Sequence, residues 1–136
     1  MKYKRQINWN WLAGFFEGDG CVSCFRDKKN NKVYTALRVD ITQKNIHLIK
    51  RLKRFLARYN ISGSILPQKN RIGCYHLIIA TRQAERFIQN IYPFFVDYKK
   101  INQVKRVFKK INKNIRIVQK RNRKYIYNET NGEPKK

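Results

Sequence analysis

Apolar positions repeat along this chain with two periods, and each change of period marks a new element. Trp11, Leu12, Phe15 and Phe16 recur at helical spacing, and Asn8, whose side chain can accept from first-turn N–H groups, predicts where that helix begins. Gly18 and Gly20 let the chain leave it. The next stretch, "CVSCFRDKK", is rich in strand formers, and "NNK" reads as a turn. In "VYTALRVDIT", Val33, Leu37, Val39 and Ile41 alternate with Tyr34, Arg38 and Asp40, which predicts a strand with one core face and one polar face.

The helical period returns in "NIHLIKRLKRFLARYN", where Ile49, Leu52, Leu56 and Tyr59 form one stripe and Lys50, Lys53, Arg54 and Arg58 lie off it. His47, near its start, has no acid or cysteine at ligand spacing and reads as a surface side chain. A second hairpin is predicted from "SGSILPQ" and "IGCYHLIIA", joined by "KNR". Tyr75, Leu77 and Ile79 should face one way and Cys74 and His76 the other, and Pro67, which has no N–H to donate, belongs at an edge or a strand end. Thr81 is placed to cap a helix through Ala84, Phe87, Ile88 and Ile91 that Pro93 stops, and Asp97 to cap another through Ile101, Val104, Phe108 and Ile111.

The order helix, two strands, helix, two strands, helix, helix is an α+β pattern built on antiparallel hairpins. With 136 residues, no internal repeat and no linker, the expectation is a single domain over residues 1–127. A frayed tail, "NETNGEPKK", should follow over 128–136, and residues 113–127 carry no clear period.

Charge narrows the partner. Thirty-two Lys and Arg against eight Asp and Glu give a net charge of +24, a field that attracts polyanions. From Lys99 to Lys124 the chain has no acid at all. An AT-rich coding sequence would raise Lys, Asn, Ile and Tyr, but it accounts for neither the arginines nor the scarcity of acids. No apolar run approaches the roughly 20 residues that span a bilayer, and the start "MKYKRQINWN" lacks a signal peptide's apolar middle, so the expectation is an intracellular protein with no membrane partner. Cytoplasm and organelle are not distinguished.

Cys21, Cys24 and Cys74 are an odd set that suits a reducing compartment. "CVSC" has the spacing of half a zinc site, yet positions i and i+3 of a strand point to opposite faces. Cys21, Cys74 and His76 remain as a set that could share one face.

Against this basic background, "WLAGFFEGDG" ends on Glu17 and Asp19. Gly14 and Gly18 lie four apart on one helix face and would admit close backbone contact. From Leu12 to Gly20, "LAGFFEGDG" resembles the nine-residue signature of the LAGLIDADG homing endonucleases: Leu12, Ala13, Gly14, Asp19 and Gly20 are identical to it, and the rest are replacements of similar character. The order of elements matches that family's αββαββα core over about residues 8–111, with "DITQKN" as the end of its second strand.

The resemblance implies a four-stranded antiparallel saddle for DNA and, because the motif occurs once, a homodimer joined through Trp11, Ala13, Gly14 and Gly18. It implies Asp19 and the Gly18 carbonyl as ligands of Mg²⁺ (or Mn²⁺), and a dimer in which the paired carboxylates share cations that relieve their repulsion. Gln43 corresponds to a water-orienting position. Lys99 or Lys100 would supply the catalytic positive charge, although an ungapped register puts Tyr98 there; plain phosphate contact is the alternative for both lysines. Glu17 reads as a structural cap or interface hydrogen bond.

By strand alternation the saddle would present Ser23, Phe25, Tyr34, Arg38, Asp40, Gln68 and His76, with Cys21 and Cys74 nearer its centre or rim. Arg38 could address guanine, and Asp40 could accept from cytosine or orient Arg38. The expected function is a metal-dependent, intron-encoded homing endonuclease cutting both strands of a long, pseudo-palindromic DNA site to leave 3′ overhangs. An RNA maturase acting on intron RNA, or a non-cleaving DNA-binding protein on the same scaffold, is the alternative. A ribosomal or architectural basic protein fits the charge but leaves the acid pair unexplained.

Overall fold

The structure, a computed structural model, describes residues 6–111 and the short strands 126–128 and 133–135, with backbone alone for those strands and for Asp27 and Lys29. Helix α1 runs Trp9–Asp19, capped by Asn8, whose side chain accepts from the Trp11 N–H at 2.8 Å. Strands β1 (Gly20–Lys29) and β2 (Lys32–Gln43) follow as a hairpin. Its two-residue turn holds Asn30 and Asn31 at φ +54 and +64, the left-handed pair whose twist matches the strands it joins.

Helix α2 (Ile46–Ala57) is capped by Asn45, which accepts from the N–H groups of His47 and Leu48. Strands β3 (Ser64–Pro67) and β4 (Tyr75–Ala80) lead to α3 (Arg82–Ile91), a short 3₁₀ turn over Tyr92–Phe94, and α4 (Tyr98–Lys110), where the Asp97 side chain accepts from the Lys99 N–H.

The four strands form one antiparallel sheet in the order β1-β2-β4-β3, so Pro67 does lie on an edge strand, where a missing N–H disturbs no inner ladder. All the helices cover one sheet face. Leu12 and Phe16 of α1, Ile49 and Leu52 of α2, Phe87 and Ile91 of α3 and Val104 of α4 join Leu37, Val39, Ile41, Leu77 and Ile79 in a single buried cluster. The Trp9 ring meets Phe55, Tyr59 and Phe87 edge-on, tying α1 to α2 and α3. Among the described residues, no helix is long and apolar enough to cross a membrane.

Several local expectations are corrected. Val33 is 61% exposed, because the β1–β2 hairpin runs out beyond the helices that cover its base. On α2 the buried aromatic is Phe55; Tyr59 lies past the helix end, half open, packed against Trp9 and Phe55. Cys74 precedes β4 and is buried, its carbonyl accepting from the Gln68 N–H, so its thiol is not an open group of the sheet face.

Thr81 occupies the cap position of α3 but does not cap it: the hydroxyl donates to the Ala80 carbonyl, and the backbone sits at φ +56. In the tail, Ile126–Asn128 (β5) pairs antiparallel with Glu133–Lys135 (β6). The expectation for residues 113–125 lies outside the described residues.

Candidate active site and nucleic-acid interface

The end of α1 gathers what chemistry the chain has. Its last turn carries Glu17 and Asp19 and no basic residue, so two acids sit at the negative pole of the helix dipole, the reverse of the arrangement that stabilises an isolated helix. Glu17 is accounted for structurally. Its carboxylate accepts from the backbone N–H groups of Val96, at 3.2 Å, and Asp97, satisfying the chain just before α4 and locking it to α1.

Asp19 is exposed, and no described residue pairs with its carboxylate. The Gly18 carbonyl is among the last four of the helix, which have no intrahelical partner by construction; that of Phe16 is taken by the Gly20 N–H. Dipole, carboxylate and carbonyl together make an oxygen-only place suited to a hard cation.

Gly20 explains the sharpness of the exit. A Cβ there would stand 2.0 Å from the Phe16 ring, so only glycine lets the strand begin against the helix it has just left. Gly14 and Gly18 are different in kind, since a Cβ on either meets nothing within 4 Å. Nothing among the described residues requires them to be glycine. Together with Trp11, 44% exposed and stacked on Phe15, they leave a bare strip along α1. Ala13, expected on that strip, is fully buried: it sits four residues after Trp9 and three before Phe16, on the core side of the helix.

Of the two candidate lysines, the fold brings Lys100 to the site. Its Nζ donates to the Gly20 carbonyl at 2.6 Å and to Gln103 Oε1 at 3.1 Å, and lies 5.4 Å from the centre of the Phe16 ring. Lys99 is exposed and contributes its backbone N–H to the cap, while Tyr98, 78% exposed, opens the helix. Gln103, which steers Lys100, was missed; nothing in "INQVK" marks it, because its role exists only once α4 lies against β1. Gln43 ends β2 two residues past Ile41, the partner of Gly20, and its Oε1 accepts from the Lys44 N–H at 3.1 Å.

The open sheet face follows from the register. Across β1 and β2, Cys21 lies opposite Asp40, Ser23 opposite Arg38, and Phe25 opposite Ala36; across β2 and β4, Thr42 pairs with His76. Paired residues share a face, so Ser23, Phe25, Tyr34, Arg38, Asp40 and His76 are brought to one surface. Asp40 sits at its centre: Arg38 Nη2 donates to Oδ2 at 3.3 Å, His76 Nδ1 lies 3.3 Å from Oδ1, and the Thr42 hydroxyl donates to Oδ1 at 3.4 Å. Gln68, two residues past Leu66, the partner of His76, continues that face beyond the end of β3; its N–H donates to the Cys74 carbonyl, and its Oε1 is covered with no hydrogen-bond partner among the described residues. Among the described residues, no three His, Cys, Asp or Glu side chains cluster to hold a metal, so Cys21, Cys74 and His76 do not come together.

A family model described as a LAGLIDADG-like domain matches residues 7–92. The reverse gyrase of Thermococcus kodakarensis is 31% identical over 83 residues, which make up 61% of this chain but only 5% of that protein. The fold is that of solved homing endonucleases. I-CvuI, crystallised with the I-CreI target, superposes with a TM-score of 0.60 at 17% identity, over 76% of this chain and 65% of that one. The archaeal intron-encoded I-Vdi141I, complexed with DNA, gives 0.56 at 18% identity over 76% and 79%. I-GzeII, in complex with a DNA target, gives 0.61 at 17% identity over 79% of this chain and 36% of that one.

Proposed function

This chain belongs to the LAGLIDADG family, and from that premise we propose that it is a site-specific homing endonuclease, encoded within an intron, that acts as a homodimer. It would cut both strands of a long, nearly palindromic DNA site and leave 3′ overhangs. The observation that carries this is Asp19: an exposed carboxylate with no partner among the described residues, at the end of a helix whose Gly14 and Gly18 face no other described part of the chain.

Among the described residues no three His, Cys, Asp or Glu side chains gather around Asp19, and a second copy packed along Gly14, Gly18 and Trp11 would supply a matching Asp19. The proportions covered support the pairing. This chain spans 79% of I-Vdi141I but 36% of I-GzeII, a chain with room for the same unit twice.

The donors present, carboxylate and backbone carbonyl, suit Mg²⁺ or Mn²⁺. When bound, such an ion activates water for in-line attack on phosphorus and stabilises the leaving oxygen. Asp19 would hold it, with the Gly18 carbonyl beside it. Lys100, anchored on the Gly20 carbonyl, would set a fixed positive charge where the phosphate becomes more negative. Gln43, at the strand end next to the α1–β1 junction, would hydrogen-bond a water there.

The open sheet face would lie in the major groove, with lysines and arginines around it on phosphates. The three free cysteines support an intracellular setting.

The test is incubation with a plasmid carrying the uninterrupted insertion locus and Mg²⁺. Wild type should linearise it, and Asp19→Asn should bind the same DNA without cutting. A wild type that never cuts its matched site, yet binds the intron RNA, would replace the nuclease with the maturase.

A further inference from the structure

Asp40 poses a question that the endonuclease reading leaves open: why a strongly basic protein places a carboxylate at the middle of the face proposed to meet DNA. We infer that Asp40 is a positioning residue for sequence reading, holding the Arg38 guanidinium so that its remaining N–H groups address a guanine in the major groove, at one base pair in each half-site. The inference rests on the proposed DNA-cutting function and deepens it.

Both oxygens of Asp40 are already engaged: Oδ2 accepts from Arg38, and Oδ1 faces the Thr42 hydroxyl and His76 Nδ1. That leaves it poorly suited to accept from cytosine itself. Exposure points the same way, since the Arg38 side chain is 39% exposed, against 23% for Asp40 and 19% for His76. The arginine stands highest, and the acid and the imidazole lie beneath it.

Arg38 gives only one of its five N–H groups to Asp40, and a planar guanidinium held at one corner can present two others to guanine O6 and N7. Its cross-strand neighbours, Ser23 and Ala80, are short and leave its approach clear. The pair is built across one strand, from positions i and i+2 of β2, so the backbone sets its geometry before any DNA arrives. An arginine ordered in advance loses less rotamer freedom on binding than a free one. The register also sets direction: His76 and Thr42 share the rung nearer the Gly20 junction, and Arg38 stands farther out, so its base pair should lie outward of the cleavage centre.

The experiment selects bound duplexes from a randomised library without Mg²⁺ and compares wild type with Arg38→Ala, Asp40→Asn and the double variant. Arg38→Ala and Asp40→Asn should each lose, by about tenfold, the preference for guanine at the same symmetric pair of positions. The double variant should lose no more than either alone. Affinity for unrelated DNA should hold or rise in Asp40→Asn, because a charge that repels phosphates is gone.

Loss of preference at different base pairs in the two single variants would make Asp40 a direct reader and overturn the inference, as would unchanged preference in both. A wild type that selects no site at all would sink the endonuclease reading instead, and this inference with it. Thermal unfolding of each variant is measured alongside, and Asp40→Ser makes the same comparison should Asp40→Asn fail to fold.

Discussion

Thr81 holds its backbone at φ +56 and ψ −125, where a β-branched side chain is crowded, while its N–H donates to the Leu37 carbonyl at 2.8 Å and pins the start of α3 to β2. Replacing it with glycine keeps that N–H and removes the strain, so Thr81→Gly should raise the unfolding free energy by about 1 kcal/mol in a urea titration. Glu17→Ala should do the opposite. It strips a charged acceptor from the Val96 and Asp97 N–H groups and should cost about 1.5–3 kcal/mol, with cleavage lost because α4 and its lysine are no longer moored to α1.

Lys100→Ala should leave the melting temperature nearly unchanged and cut the cleavage rate sharply, whereas Lys99→Ala should leave cleavage near that of wild type. Equal losses from both would return the two lysines to plain phosphate contact. That choice was not legible in "DYKK", because it depends on how α4 is rotated against β1, which neighbouring residues of the same type do not encode. Ala13 was legible: its spacing from Trp9 and Phe16 puts it on the buried stripe, and only its letter in the motif suggested the bare one. Thr81 shows the limit of a cap signal, since the hydroxyl that favours that position also bonds the Ala80 carbonyl beside it.

At the scale of elements, α1 has two kinds of glycine, and they separate by experiment. Gly20→Ala drives a methyl group into the Phe16 ring and should cost about 1–3 kcal/mol as the strand start shifts, moving Asp19 with it. A methyl group in Gly14→Ala meets no described atom within 4 Å, so the isolated subunit should gain up to about 1 kcal/mol from helix propensity, while the proposed dimer should weaken. If the proposed dimer forms, Gly14→Leu should fold and sediment as a monomer under conditions where wild type sediments as a pair. A wild type that stays monomeric even on a full DNA site would contradict the pairing.

The strands and helices were readable because the periods change cleanly at Gly20, Asn45 and Pro93, and because asparagine tolerates the left-handed turn at Asn30 and Asn31. The end of the useful alternation in β2 was not readable. Val33 keeps the period of a core residue, but no helix reaches far enough to cover it.

Across the whole molecule, a net charge of +24 sits on a folded body, with Arg38 and His76 converging on Asp40. With thirty-two Lys and Arg against eight Asp and Glu, most basic side chains have no acid to pair with, and binding should weaken by about 10³–10⁵ between 50 and 200 mM salt if six to ten phosphates are contacted. A shallow salt dependence, measured by filter binding on a matched site, would speak against DNA lying along the open sheet.

The bare strip of α1 also sets a dosage rule. If each protomer brings one acid and no complete metal centre, nuclease output at low expression climbs with the square of the number of copies made. A cell holding a few stray chains would keep its chromosome intact, and breakage would begin only above a threshold that the grip of one glycine-faced helix on its twin decides.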